Sequence, residues 1–351
     1  MQGARSSDMV TARLPALSDY LAPRLGDDLR QIAIREFSGG ASVPTFLLTT
    51  AERQLVLRAR INDPLGIGAR SLRREFRALS ALHPTGFPVP EPMLYSEDKD
   101  LIGAEFYVMG YIEGRIFPDC ALPELSNEQR AAVYDSHNAT IARLHSIDPD
   151  AIGLGDFGRP GNFFLRQVAH WQKEYDAQSR KLPEFEWLTR WIRDNAIQDD
   201  RRAIVHNDFS LLNTLIDPHG TQVVGVLDWE AATIGHPLAD FAFNLTNWFM
   251  PSVRADYGFF TLGGRDYVAL GIPTIEQYAD SYAERTGYAF SRRDLNFAIA
   301  FNFFRLAGMT LYNIARAEDG SAKNELAESC KPYLQPSLDF AVDFAWRADK
   351  P

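Results

Sequence analysis

Apolar positions in the first third of the chain mostly alternate with polar ones; later they recur at helical spacing. Leu14, Leu17, Leu21 and Leu25 fall three or four apart and predict a short helix over Ala12–Leu25. Gln31–Phe37, Thr45–Thr50 and Gln54–Arg60 read as strands, with small residues, Ser38–Ser42, between the first two. A helix is expected over Arg70–Leu82. Pro88, Pro90 and Pro92 then mark an extended segment leading to strands near Met93–Ser96 and Glu105–Met109. From Ser126 the pattern turns helical. Ser126-Asn127-Glu128-Gln129 fits a capping box, and Val133, His137, Ile141 and Leu144 follow on one helical face, with His145 as a structural, hydrogen-bonded histidine at its end. Phe163–Tyr175, Pro183–Asn195, Ile275–Thr286, Arg292–Ala315 and Glu325–Trp346 are further helices, their tryptophans read as core.

One stretch, Ile204–Glu230, interrupts the helices with a different pattern. A short apolar strand, Ala203–Val205, ends in His206-Asn207-Asp208, and Asn213 comes five residues after Asp208. Asp217-Pro218-His219-Gly220 is a type I turn signal, with Pro at the second position and Gly at the fourth. A second apolar run, Val223–Leu227, then delivers Asp228. A hairpin of this kind is expected to carry Asp208, Asn213 and Asp228 into one small volume. Two carboxylates and an amide are all oxygen donors and suit Mg²⁺ better than zinc. The spacing His206-x-Asp208-x-x-x-x-Asn213 also matches the catalytic loop of kinases, in which a carboxylate orients the attacking hydroxyl while an Asn and a later Asp hold metal.

Other segments acquire a reading from that loop. Ser38, Gly39, Gly40 and Ser42 form a flexible turn between strands whose backbone N–H groups suit phosphates. Arg58 in the third strand and Glu75 in the next helix make a cation–carboxylate pair of the sort that positions nucleotide phosphates; Arg there presents a planar fork instead of a point charge. Gly110-Tyr111-Ile112-Glu113-Gly114 links the β-rich part to the helical part, where backbone groups would meet adenine. Asp156-Phe157-Gly158 spells a kinase metal motif but precedes the catalytic loop, so it is set aside. Only eleven residues separate Asp228 from Asp240, too few for the long segment that seats a peptide in protein kinases, so the acceptor is expected to be a small molecule.

Composition narrows the field. The 351 residues are 46% hydrophobic and 23% charged, enough for two units or one large two-lobed unit with an ample core. A net charge of −10 argues against general nucleic-acid affinity. Cys120 and Cys330 form neither a disulfide framework nor a metal spacing, no apolar run reaches membrane-spanning length, and the first residues lack a signal-peptide pattern. A cytoplasmic protein that meets neither membrane nor nucleic acid is the expectation.

Together these residues resemble the aminoglycoside phosphotransferase / choline kinase superfamily of small-molecule kinases, from about Phe37 to Ala315. The anchors are Ser38–Ser42, VLR at 56–58, REF at 74–76, Tyr107–Gly114, HNDFSLLN at 206–213, LDWE at 227–230 and GHPLAD at 235–240. YVMGYIEGRIF, FGRPGNFFLRQVAHW and LDWEAATIGHPLADFAF are similar to the subgroup that stands alone in bacteria or is fused to acyl-CoA dehydrogenases. The resemblance implies an α+β, two-lobed protein-kinase-like fold: an N-terminal antiparallel sheet lobe (1–109), a hinge (110–114) and a mainly helical C-terminal lobe (115–351). It implies ATP and Mg²⁺ as cofactors, Asp208 as catalytic base, and Asn213 and Asp228 as metal ligands. Arg58 with Glu75 would steady the phosphates, the backbone of Gly110, Tyr111 and Ile112 would receive adenine, and His206 and Asp240 would support the loop. Arg166 and Arg305 are candidates for a carboxylate or phosphate of the acceptor. The expected reaction moves the γ-phosphate of ATP to a hydroxyl, with a hydroxy acid or hydroxyacyl-CoA as acceptor and an acyl-CoA dehydrogenase as associated partner. The alternatives are an aminoglycoside or choline-type acceptor, or a catalytically inactive nucleotide-binding scaffold.

Overall fold

Five strands pair in the order β1-β2-β3-β5-β4, every neighbour antiparallel. They are β1 (Ala33–Glu36), β2 (Thr45–Thr49), β3 (Gln54–Ala59), β4 (Pro92–Ser96) and β5 (Phe106–Gly110). The computed structural model describes residues 10–26, 32–37, 43–60, 72–252, 260–320 and 324–350, with 324–327 as backbone alone. Strand periodicity decides what each face of the sheet does. Phe46, Leu48, Leu55, Leu57, Phe106 and Val108 are buried on one face, in a core shared with Leu17 and Leu21 of α1 (Leu14–Leu25). Arg58 has the opposite parity and sits between Thr45 of β2 and Tyr107 of β5 in the register. That face takes α2 (Leu72–Leu82), whose Phe76 ring lies 5.8 Å from Tyr95 and from Tyr107. A short α3 (Lys99–Ile102), capped by Asp98, joins β4 to β5.

The chain divides into two units. The first takes Met1–Gly114 and, after a long excursion, Val224–Ala232. The returning segment is tied to the sheet unit at three points: Val226 N–H donates to the Pro88 carbonyl (2.7 Å), buried Trp229 meets Phe87 edge-on, and Arg74 donates to the Ala232 carbonyl (3.4 Å).

The second unit, Arg115–Val223 and Thr233–Pro351, is largely helical. Its helices are α4 (Asn127–Ser146), α5 (Phe163–Asp176), α6 (Pro183–Asn195), α7 (Pro237–Phe249), α8 (Ile275–Thr286), α9 (Arg292–Glu318) and α10 (Asn324–Asp349). The expected capping box at Ser126 and Gln129 is formed, and two more open α8 and α9. Aromatic packing joins the helices: Phe164 of α5 lies 5.1 Å from Phe297 and 4.9 Å from Phe301 of α9, both edge-on. Among the helices stands β6 (Ala203–Val205), paired antiparallel with β9 (Thr233–Gly235). The β9 strand was not expected; three residues ending in Gly-His-Pro are too few to show alternation. Gly235 is required there, because a Cβ would stand 2.7 Å from Val205 and 2.8 Å from the Phe163 ring. After β7 (Thr214–Ile216) the chain turns at Asp217–Gly220, where Gly220 N–H donates to the Asp217 carbonyl (3.4 Å) and Asp217 N–H to that of Gln222 (2.8 Å). Then β8 (Val223–Val226) carries it back into the first unit.

Candidate active site

Two groups of charged residues emerge, one in each unit. In the sheet unit, Arg58 donates from Nη1 to Glu75 Oε1 at 2.8 Å and from Nη2 to Asp228 Oδ1 at 3.5 Å. The expected strand–helix pair is therefore formed, and Asp228 adds a second carboxylate to the same guanidinium. Burial opposes charge on Arg58, but Glu75, Tyr107, Asp228 and Glu230 together raise its pKa, so it stays a cation. Glu75 is buried, and desolvation pushes its carboxyl up to about 7 against the pull of Arg58, helped by the charges of Asp228 and Glu230. Acid thus exceeds base in this group. Asp228 has φ +63° and ψ +61°, the left-handed conformation that non-glycine residues avoid at a cost of about 1 kcal/mol or more. It begins the turn Trp229–Ala231, which is pinned by Trp229 Nε1–H donating to the Val226 carbonyl at 2.9 Å.

In the helical unit, the organising group is Asp240, fully buried in the first turn of α7. Its carboxylate accepts the backbone N–H of His206 and of Asn207, each at 2.7 Å, and the Nε2 of His145 at 3.1 Å. Burial alone would raise its pKa; the bond and charge of His145 and the contributions of His206 hold it below the usual range. His145 is itself fixed by Tyr282 at 2.7 Å, so it is the hydrogen-bonded structural histidine its sequence suggests. Asn207 adopts φ +66°, and two oriented N–H groups on one carboxylate stabilise that bend. The bend presents Asp208. Asn213 then donates its amide to the Asp208 carbonyl (2.8 Å) and carboxylate (2.9 Å).

Arg305 lies beneath this loop. It is 7% exposed, bonds Asn302 through Nη1 (2.9 Å), and donates from Nη2 to the Asn207 carbonyl at 3.4 Å. The helical pattern of α9 locates Arg305 on a helix but does not show which loop that helix underlies. Arg166 lies elsewhere, in a separate cavity at the start of α5. Gly110 ends β5 and donates to the Glu91 carbonyl (2.8 Å), Tyr111 N–H reaches the Gln54 carbonyl (3.4 Å), and Ile112 is half-buried. Ser38, Gly39, Gly40 and Ser42 lie outside the described residues. Tyr107 and Glu230 were not anticipated as members of the Arg58 group; the cross-strand position of Tyr107 beside Arg58 was the available signal for the first.

Against known proteins, residues 33–271 match the model of the phosphotransferase enzyme family, APH. The chain belongs to this family. Within it, the chain is 36% identical over 319 residues to acyl-CoA dehydrogenase family member 11 of Gallus gallus, covering 88% of the chain but 40% of that protein. The chain thus spans about two fifths of the length of that curated relative. A crystal structure from Ralstonia eutropha, provisionally named an aminoglycoside phosphotransferase, shares 34% identity at a TM-score of 0.84 over 96% of the chain and 99% of its own. The protein-kinase-like fold extends further. Choline kinase of Cryptosporidium parvum (11% identity, TM-score 0.64, 95% and 96% covered) has it, as does APH(2")-IIa in a streptomycin–ATP ternary complex (18%, 0.59, 92% and 97%). In this family member no described helix is long and apolar enough to cross a membrane.

Proposed function

We propose that the chain transfers the γ-phosphate of ATP to a hydroxyl of a small molecule. The observation that carries this reading is the Asp208–Asn213 arrangement, an amide clamped on a carboxylate at 2.9 Å within a loop whose bend is bonded to buried Asp240. Asp208 takes the acceptor's proton as the hydroxyl oxygen attacks the γ-phosphorus; the bond to the bridging oxygen breaks and ADP leaves. Arg58, held by Glu75, steadies the phosphates, and the backbone of Gly110–Ile112 faces adenine.

The donor set fits Mg²⁺. Asn213 commits its Nδ2 to Asp208, which leaves its carbonyl oxygen as the donor for a cation. Asp228 contributes a carboxylate whose contact with Arg58 is long, at 3.5 Å. Among the described residues no group of three or more His, Cys, Asp or Glu surrounds a metal position, and Mg²⁺ typically takes one or two protein oxygens together with phosphates and water. Asn213 and Asp228 would hold it. The chemistry supplied when it is bound is neutralisation of charge on the transferring phosphate.

For the acceptor we favour a hydroxy acid or its CoA thioester, and for the partner an acyl-CoA dehydrogenase. The support is the name carried by relatives 31–37% identical to this chain, such as chicken family member 11 and the probable acyl-CoA dehydrogenase IBR3 of Arabidopsis thaliana. An aminoglycoside is the second reading, favoured by the name given to the Ralstonia structure.

The test is Mg-ATP turnover against kanamycin, choline, homoserine and 3- and 4-hydroxyacyl-CoAs. Asp208→Asn is expected to lower turnover about 10²–10⁴-fold, the usual contribution of a general base, while the Mg-ATP thermal shift persists. Robust kanamycin phosphorylation would overturn the acyl-CoA reading. Absence of both turnover and thermal shift would leave a scaffold.

A further inference from the structure

A cavity of about 280 Å³ opens in the helical unit where the start of α5 meets the start of β6 and the end of β9. Arg159, Arg166, Arg201 and Arg202 line it, with Asp199 and Asp200. It is therefore net positive, in a chain whose overall charge is −10. The four guanidinium groups are not equivalent. Arg201 pairs with Asp199 at 3.4 Å, and that carboxylate also holds His236 at 2.8 Å and Tyr288 at 3.2 Å. Arg202 reaches Asp150 at 3.6 Å and the Gly155 carbonyl at 2.9 Å. Arg159 and Arg166 have no carboxylate partner among the described residues.

Arg166 is held in another way. Its Nη1 donates to the carbonyls of Pro160 (3.3 Å) and Gly161, and its Nη2 to that of Ile234 (3.5 Å). Carbonyl dipoles orient a guanidinium without cancelling its charge. Burial and the neighbouring charge of Arg159 lower the pKa of Arg166, so an anion between the two would relieve an existing repulsion. The backbone is shaped to permit this. A Cβ at Gly158 would stand 2.6 Å from Ile234, so only glycine lets the loop before α5 lie against β9. Phe163 and Phe164 also line the cavity, and the unpaired N–H groups of a helix's first turn favour negative charge.

We infer that this cavity binds the phosphate end of an extended acceptor. The inference rests on the phosphoryl-transfer reading and narrows its substrate class. Arginine forks match phosphate oxygens in pairs, and two of the four here have no acidic partner among the described residues. Length selects the ligand. Arg202 precedes β6 and His206 follows it, so four residue steps of extended chain, about 13 Å at ~3.3 Å per residue, separate the Arg202 end of the cavity from the catalytic loop. A short hydroxy acid cannot reach from Arg202 to the loop. A CoA thioester can, because its pantetheine arm separates the diphosphate from the acyl chain that carries the hydroxyl.

The test is calorimetric titration of CoA, and separately of inorganic pyrophosphate, into the full chain. A non-hydrolysable ATP analogue with Mg²⁺ is kept saturating, so that the nucleotide site does not contribute. Arg166→Gln should weaken CoA at least tenfold and Arg159→Gln at least threefold. Arg159 is exposed and makes no ion pair with a carboxylate among the described residues, so its variant should keep the parent melting temperature. Arg166→Lys, which keeps the charge and loses the fork, should fall between Arg166→Gln and the parent. CoA binding that is absent, or equal in all four proteins, overturns the assignment. So does weakened pyrophosphate binding with CoA affinity intact, which reduces the cavity to a free-anion site. The two readings fail separately. Asp208-dependent turnover of homoserine or kanamycin without arginine-dependent CoA binding removes the cavity assignment alone. Arginine-dependent CoA binding with neither turnover of any acceptor nor a Mg-ATP thermal shift removes the kinase reading.

Discussion

The Asp240 carboxylate and the Asn207 backbone N–H lie 2.7 Å apart, and this bond holds the residue before Asp208 at a positive φ. The other carboxylate oxygen takes His206 N–H and His145. One buried acid therefore fixes the bend that aims the proposed base. Asp240→Asn keeps one acceptor oxygen but turns an NH₂ towards a backbone donor. Loss of a buried, bonded charge should cost about 3–5 kcal/mol. Urea unfolding should show that loss, and kcat should fall well beyond what the folded fraction explains. Unchanged kcat in folded protein would remove Asp240 from the positioning of the loop.

Arg58 neutralises a group of acids that would otherwise repel one another. Arg58→Ala leaves Glu75 buried near Asp228 and Glu230 and is expected to cost about 3–5 kcal/mol. Arg58→Lys preserves the charge but cannot span both Glu75 and Asp228, so its main effect should be a raised KM for ATP. Thermal melts of both variants, with KM for ATP measured on the lysine protein, check the two statements.

His137 is fully buried, bonded to Tyr278 (3.1 Å) and to Asn244 (3.3 Å), and desolvation lowers its pKa from 6.5 to about 3. Between those two values the unfolded chain holds a proton that the folded chain refuses. Its contribution is therefore fully present above pH 6.5 and is lost as pH falls, by about 2 kcal/mol at pH 5. The free energy of unfolding from pH 7 to 5, compared with His137→Gln, should show this slope in the parent and a flatter one in the variant.

Gly235→Ala places a methyl group 2.7–2.8 Å from Val205 and the Phe163 ring. Overpacking of this kind typically costs about 1–3 kcal/mol. The β6–β9 pair leads into His206, so chemical denaturation and turnover should decline together. A neutral variant would mean that Phe163 can move aside freely.

The chemistry was more legible in the sequence than its surroundings. Asp208, Asn213 and Asp228 stand out by residue type, spacing and strand ends, and the pair expected between a strand cation, Arg58, and a helix carboxylate, Glu75, is formed. Asp240 could be placed by its distance from Asp228, but its three bonds could not, since they depend on how α4, α7 and the loop pack. The bond of Arg305 was hidden for the same reason: an arginine on a helix reads as a surface cation until the tertiary fold places the Asn207 carbonyl over it. β9 was invisible because three residues carry no period. Nor does the sequence mark Val224–Ala232 as part of the sheet unit; buried Trp229 against Phe87 is the contact that decides it.

That last segment bears on how the family can diversify. Because Val224–Ala232 returns to the unit that contains Arg58 and Glu75, Arg115–Val223 is a detour rather than a tail. The detour begins and ends on the same scaffold, so it can lengthen, shorten or exchange helices without altering the register of the three charges. No single scission detaches the sheet unit whole, since its third charge arrives from more than a hundred positions downstream. A lineage can vary the helices of the detour while the unit that holds Arg58, Glu75 and Asp228 is inherited intact.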